Sequence, residues 1–396
     1  MPASPEPVPV RLIHVTTIPL TLMFLRGQVG FMKERGFEIE VISSPGTELD
    51  RFAREQSVVA HAVPMARRIT PLADLLALAR LWRLIRQRRP TIVHAHTPKA
   101  GLLGMLAATL AGTPVRLYHL RGLPLETATG WKRRLLAATE RLSCRLAHRV
   151  LAVSGSLRAV ALAEGLCPAE KIAVLAGGSG NGVDASGRFR PDRFSLEERQ
   201  RLRAGWQLPP EAPVLGFVGR VVRDKGIVEL AAAWERLAAR FPALHLLLVG
   251  PEEPQDPVPP AVLDGLRRHP RVRWLGLVED PASAYAVMDL LTLPTYREGF
   301  PNVPLEAAAM GLPVVATQVA GCVDAVEDGV TGTLVPARDA AALEQALAAY
   351  LADPALAFEH GRAGRERVLA RFRQEVIWQE LEATYRKLLA ARGAGR

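Results

Sequence analysis

The residues with the clearest chemical potential are two cations that follow a short apolar run in the second half of the chain. Val214–Val218 predicts a β-strand, and Arg220 and Lys225 lie in the glycine-containing loop after it. An arginine guanidinium forks onto phosphate oxygens and a lysine ammonium acts as a point charge, so the pair suits a diphosphate. A solvated basic turn is the alternative interpretation of the same residues.

A second string, Arg297–Ala307, follows the predicted strand Leu290–Leu293 and passes through a Gly/Pro turn into a helix at Pro304. Backbone N–H groups at a helix start, together with the positive end of the helix dipole, attract an anion. Glu298 lies in the loop and Glu306 in the first helical turn. An isolated glutamate at a helix start is usually unremarkable, so the prediction depends on the whole string.

Candidate residues in the first half are less specific. His119 and Arg121 stand at the end of the predicted strand Val115–His119, and strand residues two apart face the same side, so either could contact a ligand. A buried histidine with satisfied hydrogen bonds is the alternative for His119. The glycine-rich run around Asn181 and Gly182 indicates a close backbone approach to a ligand or a hinge.

These residues need a scaffold of strands, and short apolar runs alternate with helical stretches along the whole chain. That alternation predicts a parallel sheet with helices on both faces, and the pattern restarts after a Gly/Pro-rich stretch at 184–213. The first set of predicted strands is Arg11–Thr16, Phe37–Ser43, Thr91–Ala95, Val115–His119, Arg149–Val153 and Ile172–Leu175. The second set is Val214–Val218, His245–Val249, Val272–Leu275, Leu290–Leu293, Val314–Thr317 and Thr333–Val335.

We therefore predict an α/β fold of two doubly wound, Rossmann-like domains at 1–190 and 191–373. A last helix at 374–396 is expected to cross back to the first domain. Two such domains leave a cleft beside the carboxyl ends of their strands, where ligands of these folds bind.

Composition narrows the function classes. The 396 residues are 49% apolar and 23% charged, with no uncharged apolar run of the roughly 20 residues that a membrane-spanning helix needs. No signal peptide is expected. The three cysteines have no Cys/His spacing typical of a zinc site, so we expect reduced thiols and no metal.

The net charge of +10 is uneven along the chain. Residues 1–190 carry 26 basic and 13 acidic side chains, a net of +13, whereas 191–396 carry 24 and 27, a net of −3. A predicted helix at 132–149 places Arg141, Arg145 and Arg149 on one face, which favours an anionic membrane surface. Nucleic acid is not expected as a partner, because aromatic residues are only 6% and no recognition motif is present.

Together, the Glu298–Glu306 spacing, the loop containing Arg220 and Lys225, and the string from Gly311 to Pro336 resemble glycosyltransferase family 4. The resemblance implies a GT-B fold, a retaining mechanism, a nucleotide-sugar donor (a UDP-sugar) and no metal or other cofactor. It also implies that Arg220 and Lys225 hold the donor diphosphate and that Glu306 binds the ribose. Glu298 would lie near the donor sugar. The remaining donor contacts implied are Gly299, Phe300, Asn302, Val303, Asn181 and Gly182.

The first half resembles the branch of the family that builds capsule, exopolysaccharide and O-antigen chains, through strings at 24–46, 94–104, 121–130 and 179–184. This implies a lipid-linked acceptor and a peripheral position on the cytoplasmic face of a bacterial inner membrane. Two departures are evident. Thr16–Thr21 replaces the usual Gly-Gly turn, and Arg121 occupies the position of a usual histidine. A nucleotide-sugar epimerase or a soluble glycoside synthase remains an alternative.

Overall fold

A computed structural model describes residues 9–254 and 256–393, and the chain divides into two compact units. Unit 1 contains the chain up to Asn181 together with the segment from Gln374 onward, and unit 2 is Gly182–Arg373. The predicted domain boundary at 190 and 191 thus lies inside unit 2. The predicted chain ends at 1 and 396 lie outside the described residues.

Unit 1 is built on a seven-stranded parallel sheet. In chain order its strands are β1 (Val10–Val15), β2 (Phe37–Ser43), β3 (Val59–Ala62), β4 (Ile92–His96), β5 (Val115–Leu120), β6 (Arg149–Ala152) and β7 (Ile172–Val174). Their spatial order is β3-β2-β1-β4-β5-β6-β7, so the chain moves to one edge and then returns past β1. The pair β1 and β4 is the switch point, where sheets of this kind place ligands at their carboxyl ends.

Seven helices of unit 1 cover the two faces of this sheet. They are α1 (Gln28–Lys33), α2 (Thr47–Gln56), α3 (Pro71–Arg88), α4 (Pro98–Leu110), α5 (Gly130–Leu146), α6 (Gly155–Ala163) and, from the far end of the chain, α15 (Gln374–Ala391). The buried residues of α15 recur every three or four positions, as in an amphipathic helix. They join the core that contains Leu12, Ile92 and Leu117 of the sheet.

Strand β3 lies outside the predicted strand set. It has four residues at the sheet edge, and its first and last side chains are exposed, so no apolar alternation marks it. Every predicted strand matches an observed strand to within one residue at each end.

Unit 2 contains a six-stranded parallel sheet with the spatial order β10-β9-β8-β11-β12-β13. Its strands are β8 (Val214–Val218), β9 (His245–Val249), β10 (Val272–Trp274), β11 (Leu290–Leu293), β12 (Val314–Thr317) and β13 (Gly332–Val335). Its helices are α7 (Leu196–Gly205), α8 (Ile227–Arg240), α9 (Pro260–Arg268), α10 (Pro281–Tyr285), α11 (Asn302–Ala309), α12 (Cys322–Ala325), α13 (Ala340–Ala352) and α14 (Pro354–Arg371). The four central strands are buried throughout, which explains their continuous apolar sequences.

The structure corrects the predicted basic helix at 132–149. Helix α5 ends at Leu146 because Ala147 has an extended backbone and the amide of His148 donates to Arg116 O at 2.8 Å, which starts the pairing of the next strand. Arg149 therefore begins β6 and does not share a helix face with Arg141. Their guanidinium groups donate to backbone carbonyls of unit 1, Arg149 at 2.7 Å and Arg141 at 2.9 and 3.1 Å.

Gly226 generates a prediction about stability. Its φ is +72°, and a Cβ at this position would lie 1.9 Å from the carbonyl oxygen of Pro294. We expect Gly226→Ala to lower the urea midpoint of unit 2, because the left-handed conformation alone costs a side chain about 1–2 kcal/mol. The matched control is Gly265→Ala in α9, where a Cβ meets nothing within 4 Å. Equal midpoints for the two variants would contradict the prediction.

Candidate functional site

The loops that follow β8 and β11 are joined at the carboxyl edge of the unit 2 sheet. The carbonyl of Asp224 accepts hydrogen bonds from Tyr296 N at 2.8 Å and from Thr295 Oγ1 at 3.1 Å. Its carboxylate accepts a hydrogen bond from Arg297 Nη2 at 3.0 Å. Because β8 and β11 are neighbouring strands, their loops form one connected structure that carries the two predicted motifs.

Lys225 and Glu298 meet directly in this structure. The Lys225 ammonium donates to Glu298 Oε1, and the two side chains are only 17% and 13% exposed. The lysine comes from the first motif and the glutamate from the second. Tertiary structure thus brings together two residues that the sequence places 73 positions apart.

Arg220 has a partner that sequence analysis missed. Its Nη1 donates to Glu253 Oε2 at 2.8 Å, and the arginine side chain is 43% exposed. Glu253 follows β9, the strand on the other side of β8. The only sequence signal for Glu253 is its position just after a predicted strand, because it belongs to no motif. An anion that binds Arg220 must compete with this carboxylate.

Helix α11 begins at this edge after the N-cap Pro301, which provides no side-chain hydrogen bond. The ring of Phe300 lies 5.7 Å from that of Phe372, and Val303 packs against the unit 2 core. These two side chains therefore have a packing role, so the donor contact expected of each residue would come from its backbone.

Gly299 lies in the turn before α11, and Asn302 is the first residue of the helix. A Cβ on Gly321 would stand 2.5 Å from the carbonyl oxygen of Gly299, so the loop after β12 also approaches this turn closely. Three neighbouring loops of unit 2 consequently lie side by side at the carboxyl edge.

Glu306 is held by a residue that the sequence did not reveal. Tyr285 OH donates to Glu306 Oε2 at 2.8 Å. Burial raises the pKa of Glu306, and the hydrogen bond from Tyr285 opposes that rise. The tyrosine orients the carboxylate in the second turn of α11, because the helix begins at Asn302 and not at Pro304 as the sequence predicted.

In unit 1 four histidines form a buried cluster on one face of the sheet. His14 pairs in register with His94, and His96 with His119, on the adjacent strands β1, β4 and β5. The rings of His94 and His96 have centroids 4.1 Å apart, and His94 stacks on His119 at 5.3 Å. All four are at most 2% exposed. His119 is therefore interior, but its Nδ1 has no partner among the described residues, so it is not the histidine with satisfied hydrogen bonds of the alternative interpretation.

The hydrogen bonds assign the protons in this cluster. Arg121 Nε can only donate, so His96 Nδ1 accepts at 3.2 Å. A neutral His96 then carries its proton on Nε2 and donates to His14 Nδ1 at 2.9 Å. The proton of His14 is left on Nε2, which no described residue accepts. Burial, with the charge of Arg121, lowers the pKa of His14 to about 3, so the ring stays neutral.

Tyr385 of helix α15 completes the cluster. Its hydroxyl lies 2.6 Å from His94 Nδ1. His94 Nε2 and His119 Nδ1 are buried and have no partner among the described residues. The sequence could not reveal this arrangement, since α15 lies far from the histidines along the chain.

His14, His94 and His96 are also the residues best placed to hold a metal. One ring nitrogen from each lies within 4.8 Å of the other two. The adjacent guanidinium of Arg121 opposes a cation there, and its bond to His96 Nδ1 commits the proton of that ring to Nε2. The geometry thus permits shared coordination, whereas the electrostatics disfavour it.

Asn181 has a structural role in unit 1. Its amide nitrogen donates to Arg26 O at 3.2 Å, and its Oδ1 accepts from Trp378 Nε1 at 2.7 Å. Its side chain thus ties α15 to the first part of the chain. Gly182, with φ +68°, begins unit 2.

Two family models match this chain, one within unit 1 and one within unit 2. The model "Glycosyl transferase 4-like domain" matches residues 24–178, and "Glycosyl transferases group 1" matches 212–353. The capsular polysaccharide biosynthesis glycosyltransferase CapM of Staphylococcus aureus is 35% identical over 379 residues, which cover 96% of this chain and 97% of that protein. The chain belongs to glycosyltransferase family 4.

Two further comparisons describe its relatives. An alpha-maltose-1-phosphate synthase of Mycolicibacterium smegmatis is 32% identical over 362 residues, covering 85% of this chain and 89% of that protein. The crystal structure of Anabaena Alr3699/HepE in complex with UDP and glucose superposes with a TM-score of 0.79 at 20% identity, covering 96% of this chain and 100% of that one. This likeness confirms the predicted GT-B fold.

The Arg220–Glu253 pair leads to a prediction for this glycosyltransferase. Glu253→Gln should tighten binding of UDP by about two- to fivefold, because an exposed ion pair that competes with the ligand contributes up to about 1 kcal/mol. Glu252→Gln is the matched control, since the neighbouring Glu252 pairs with Arg267. Isothermal titration with UDP measures both. Weaker binding in Glu253→Gln, or equal changes in the two variants, would contradict the competition.

Proposed function

We propose that this glycosyltransferase moves a hexose from a UDP-sugar to a lipid-linked or growing polysaccharide acceptor in capsule, exopolysaccharide or O-antigen synthesis. The observation that carries the donor part is the joined loop pair of unit 2, which places Arg220, Lys225 and Glu298 at one sheet edge. The full-length similarity to a capsule glycosyltransferase supports the acceptor class. The superposed Anabaena protein contains UDP and glucose.

In this proposal the bond between the anomeric carbon and the diphosphate breaks, and its electron pair goes to the diphosphate oxygen. Arg220 and Lys225 stabilise that developing negative charge, a role that preorganised cations perform without reorganisation. The acceptor hydroxyl oxygen bonds to the anomeric carbon, and its proton passes to the departing diphosphate oxygen. Glu298, which pairs with Lys225, lies near the donor sugar, and Glu306 binds the ribose hydroxyls.

Further donor contacts come from the backbone around Gly299, Phe300, Asn302 and Val303, at the start of α11. Arg121 serves the acceptor side in unit 1, with the buried His119 in the histidine cluster behind it. We propose that no divalent metal takes part, because the two cations and the helix start neutralise the diphosphate. We also propose that the anomeric configuration is retained.

The test of the donor site uses alanine variants in one loop. Arg220→Ala and Lys225→Ala should each lower turnover by about 100- to 1000-fold at saturating UDP-sugar, the usual effect of removing one electrostatic contact to a transition state. Arg223→Ala, an exposed cation of the same loop, is the control. Release of UDP measures turnover. Near-normal turnover in either of the first two variants would exclude the assignment.

The same reaction tests the metal and the stereochemistry. With EDTA present throughout, turnover should persist, and loss of activity that Mg²⁺ or Mn²⁺ restores would contradict metal-free chemistry. Proton NMR of the product should show a retained anomeric configuration, and an inverted centre would contradict retention.

A soluble glycoside synthase is the second candidate, because the Mycolicibacterium relative is named as a synthase of a sugar phosphate. Acceptor specificity distinguishes the two functions. A capsule-type transferase should use polyisoprenoid-diphosphate sugars, whereas a soluble synthase should use free sugar phosphates. An epimerase would release UDP without any acceptor.

Unit 1 exposes a face suited to a membrane. On α5 Trp131 is 74% exposed, and on α3 Leu72 is 81% exposed, with Leu75 and Leu76 beside it. Helix α4 packs against both α3 and α5. Basic side chains accompany the apolar ones on α5, at Lys132, Arg134 and Arg145. Within residues 9–254 and 256–393, no helix has the length and apolarity to span a bilayer.

We propose that this α3–α5 face docks on the anionic cytoplasmic surface of a bacterial inner membrane. Exposed tryptophan and leucine side chains together with lysine and arginine are typical of helices that lie in the membrane interface. This differs from the arginine stripe predicted from sequence, because Arg141 and Arg149 contact the protein itself. The face would present unit 1 to an acceptor that is carried on lipid.

Vesicle co-sedimentation tests the docking face. A Leu72→Gln and Trp131→Gln double variant should bind anionic vesicles at least about tenfold more weakly, because each buried large apolar side chain contributes about 1.5–3 kcal/mol. Phe358→Gln, an exposed aromatic of unit 2, is the control. Binding should also weaken between about 0.15 M and 1 M salt, where the Debye length falls from about 8 to 3 Å. Equal binding to neutral and anionic vesicles would exclude the model.

A further inference from the structure

Arg121 is a positive charge that no carboxylate balances among the unit 1 residues that the structure describes. Burial lowers its pKa to about 10, so the guanidinium remains charged at neutral pH. A buried charge is normally paired, because an isolated one loses its hydration without compensation.

The neighbours of the guanidinium are all neutral. Nε donates to His96 Nδ1 at 3.2 Å, Nη2 approaches Gly180 O at 3.5 Å, and the carbon of the group lies 5.1 Å from the ring centre of Phe24. A Cβ on Gly180 would stand 2.0 Å from Nη1, so only glycine permits this approach. These contacts use two of the five N–H donors of an arginine, which leaves three for a ligand.

The histidines behind Arg121 also favour an anionic ligand. The hydrogen-bond order from Arg121 through His96 leaves the Nε2 proton of His14 without an acceptor among the described residues. The cluster therefore has an excess of donors beside an uncompensated cation. Such a site attracts an oxyanion and opposes a metal ion, although three of its nitrogens are close enough to share one.

We propose that Arg121, with His96 and His14 behind it, forms a subsite for an oxyanion of the substrate. The ligand would be an anion with two oxygen atoms that accept parallel hydrogen bonds from the guanidinium. A diphosphate and a sugar carboxylate both have this chemistry. The inference deepens the proposed function and rests on it for the statement that the ligand is a substrate. The subsite would make an anionic group of the substrate a determinant of specificity.

The test titrates two probes into the full chain with UDP saturating, so that Arg220 and Lys225 are occupied. Pyrophosphate represents the lipid-linked diphosphate, and glucuronate represents an acidic sugar. At least one probe should bind, and Arg121→Gln should weaken it by at least about tenfold, as expected for hydrogen bonds to a charged group. Arg80→Gln, an exposed arginine of α3, should bind like the parent. The probe that binds identifies the source of the anion.

A second measurement uses the parent protein and so does not depend on whether a variant folds. In protein labelled with ¹⁵N at histidine, the bound probe should shift the ring resonances of His96 and His14 and leave those of His245 and His269 in unit 2 unchanged. UDP affinity should be unaltered in Arg121→Gln, so loss of UDP binding would point to a failure of the donor assignment or of folding instead. Binding of neither probe, equal binding in Arg121→Gln, or stoichiometric Zn²⁺ binding by the parent would overturn the subsite.

Discussion

The close approach of Gly226 to the carbonyl of Pro294 allows the two chemistry-bearing loops of unit 2 to lie together. Parallel strands end at one sheet edge, but their loops could diverge from that edge into solvent. Here a glycine with φ +72° lets the loop after β8 lie against the end of β11, and Asp224 adds hydrogen bonds across the same join. The ion pair between Lys225 and Glu298 depends on this approach, because the two side chains come from different loops.

The positively charged side chains of the two units have different neighbours. In unit 2 the cations expected to bind phosphate already have carboxylate partners, Arg220 with Glu253 and Lys225 with Glu298. Such pairing offsets part of the free energy that is lost when a charged side chain is removed from water. A diphosphate that binds these cations must therefore replace the carboxylates or share the cations with them. In unit 1 Arg121 has only neutral neighbours, so a ligand there would provide compensation without competing against a carboxylate.

Helix α15 shows how a remote segment can organise a site. Trp378 binds Asn181, which in turn holds the carbonyl of Arg26, and Tyr385 binds His94. These polar contacts fix the segment around Gly180 against the guanidinium of Arg121. The apolar side of the same helix packs on the sheet, so the polar contacts form in a buried environment.

The sequence by itself determined the α/β class and nearly every strand, and it located the two loop motifs of unit 2, because strand periodicity and loop motifs are local properties. It failed for β3, whose four edge residues bury too little to show a pattern, and for the arginine stripe. Arg149 starts β6, in agreement with the predicted strand Arg149–Val153 and against the predicted basic helix at 132–149. Only the tertiary structure decided which residues meet. Glu253 and Tyr285 pair with predicted site residues, and the histidine cluster joins three strands with α15, because non-local contacts follow from strand order and leave no trace in sequence spacing.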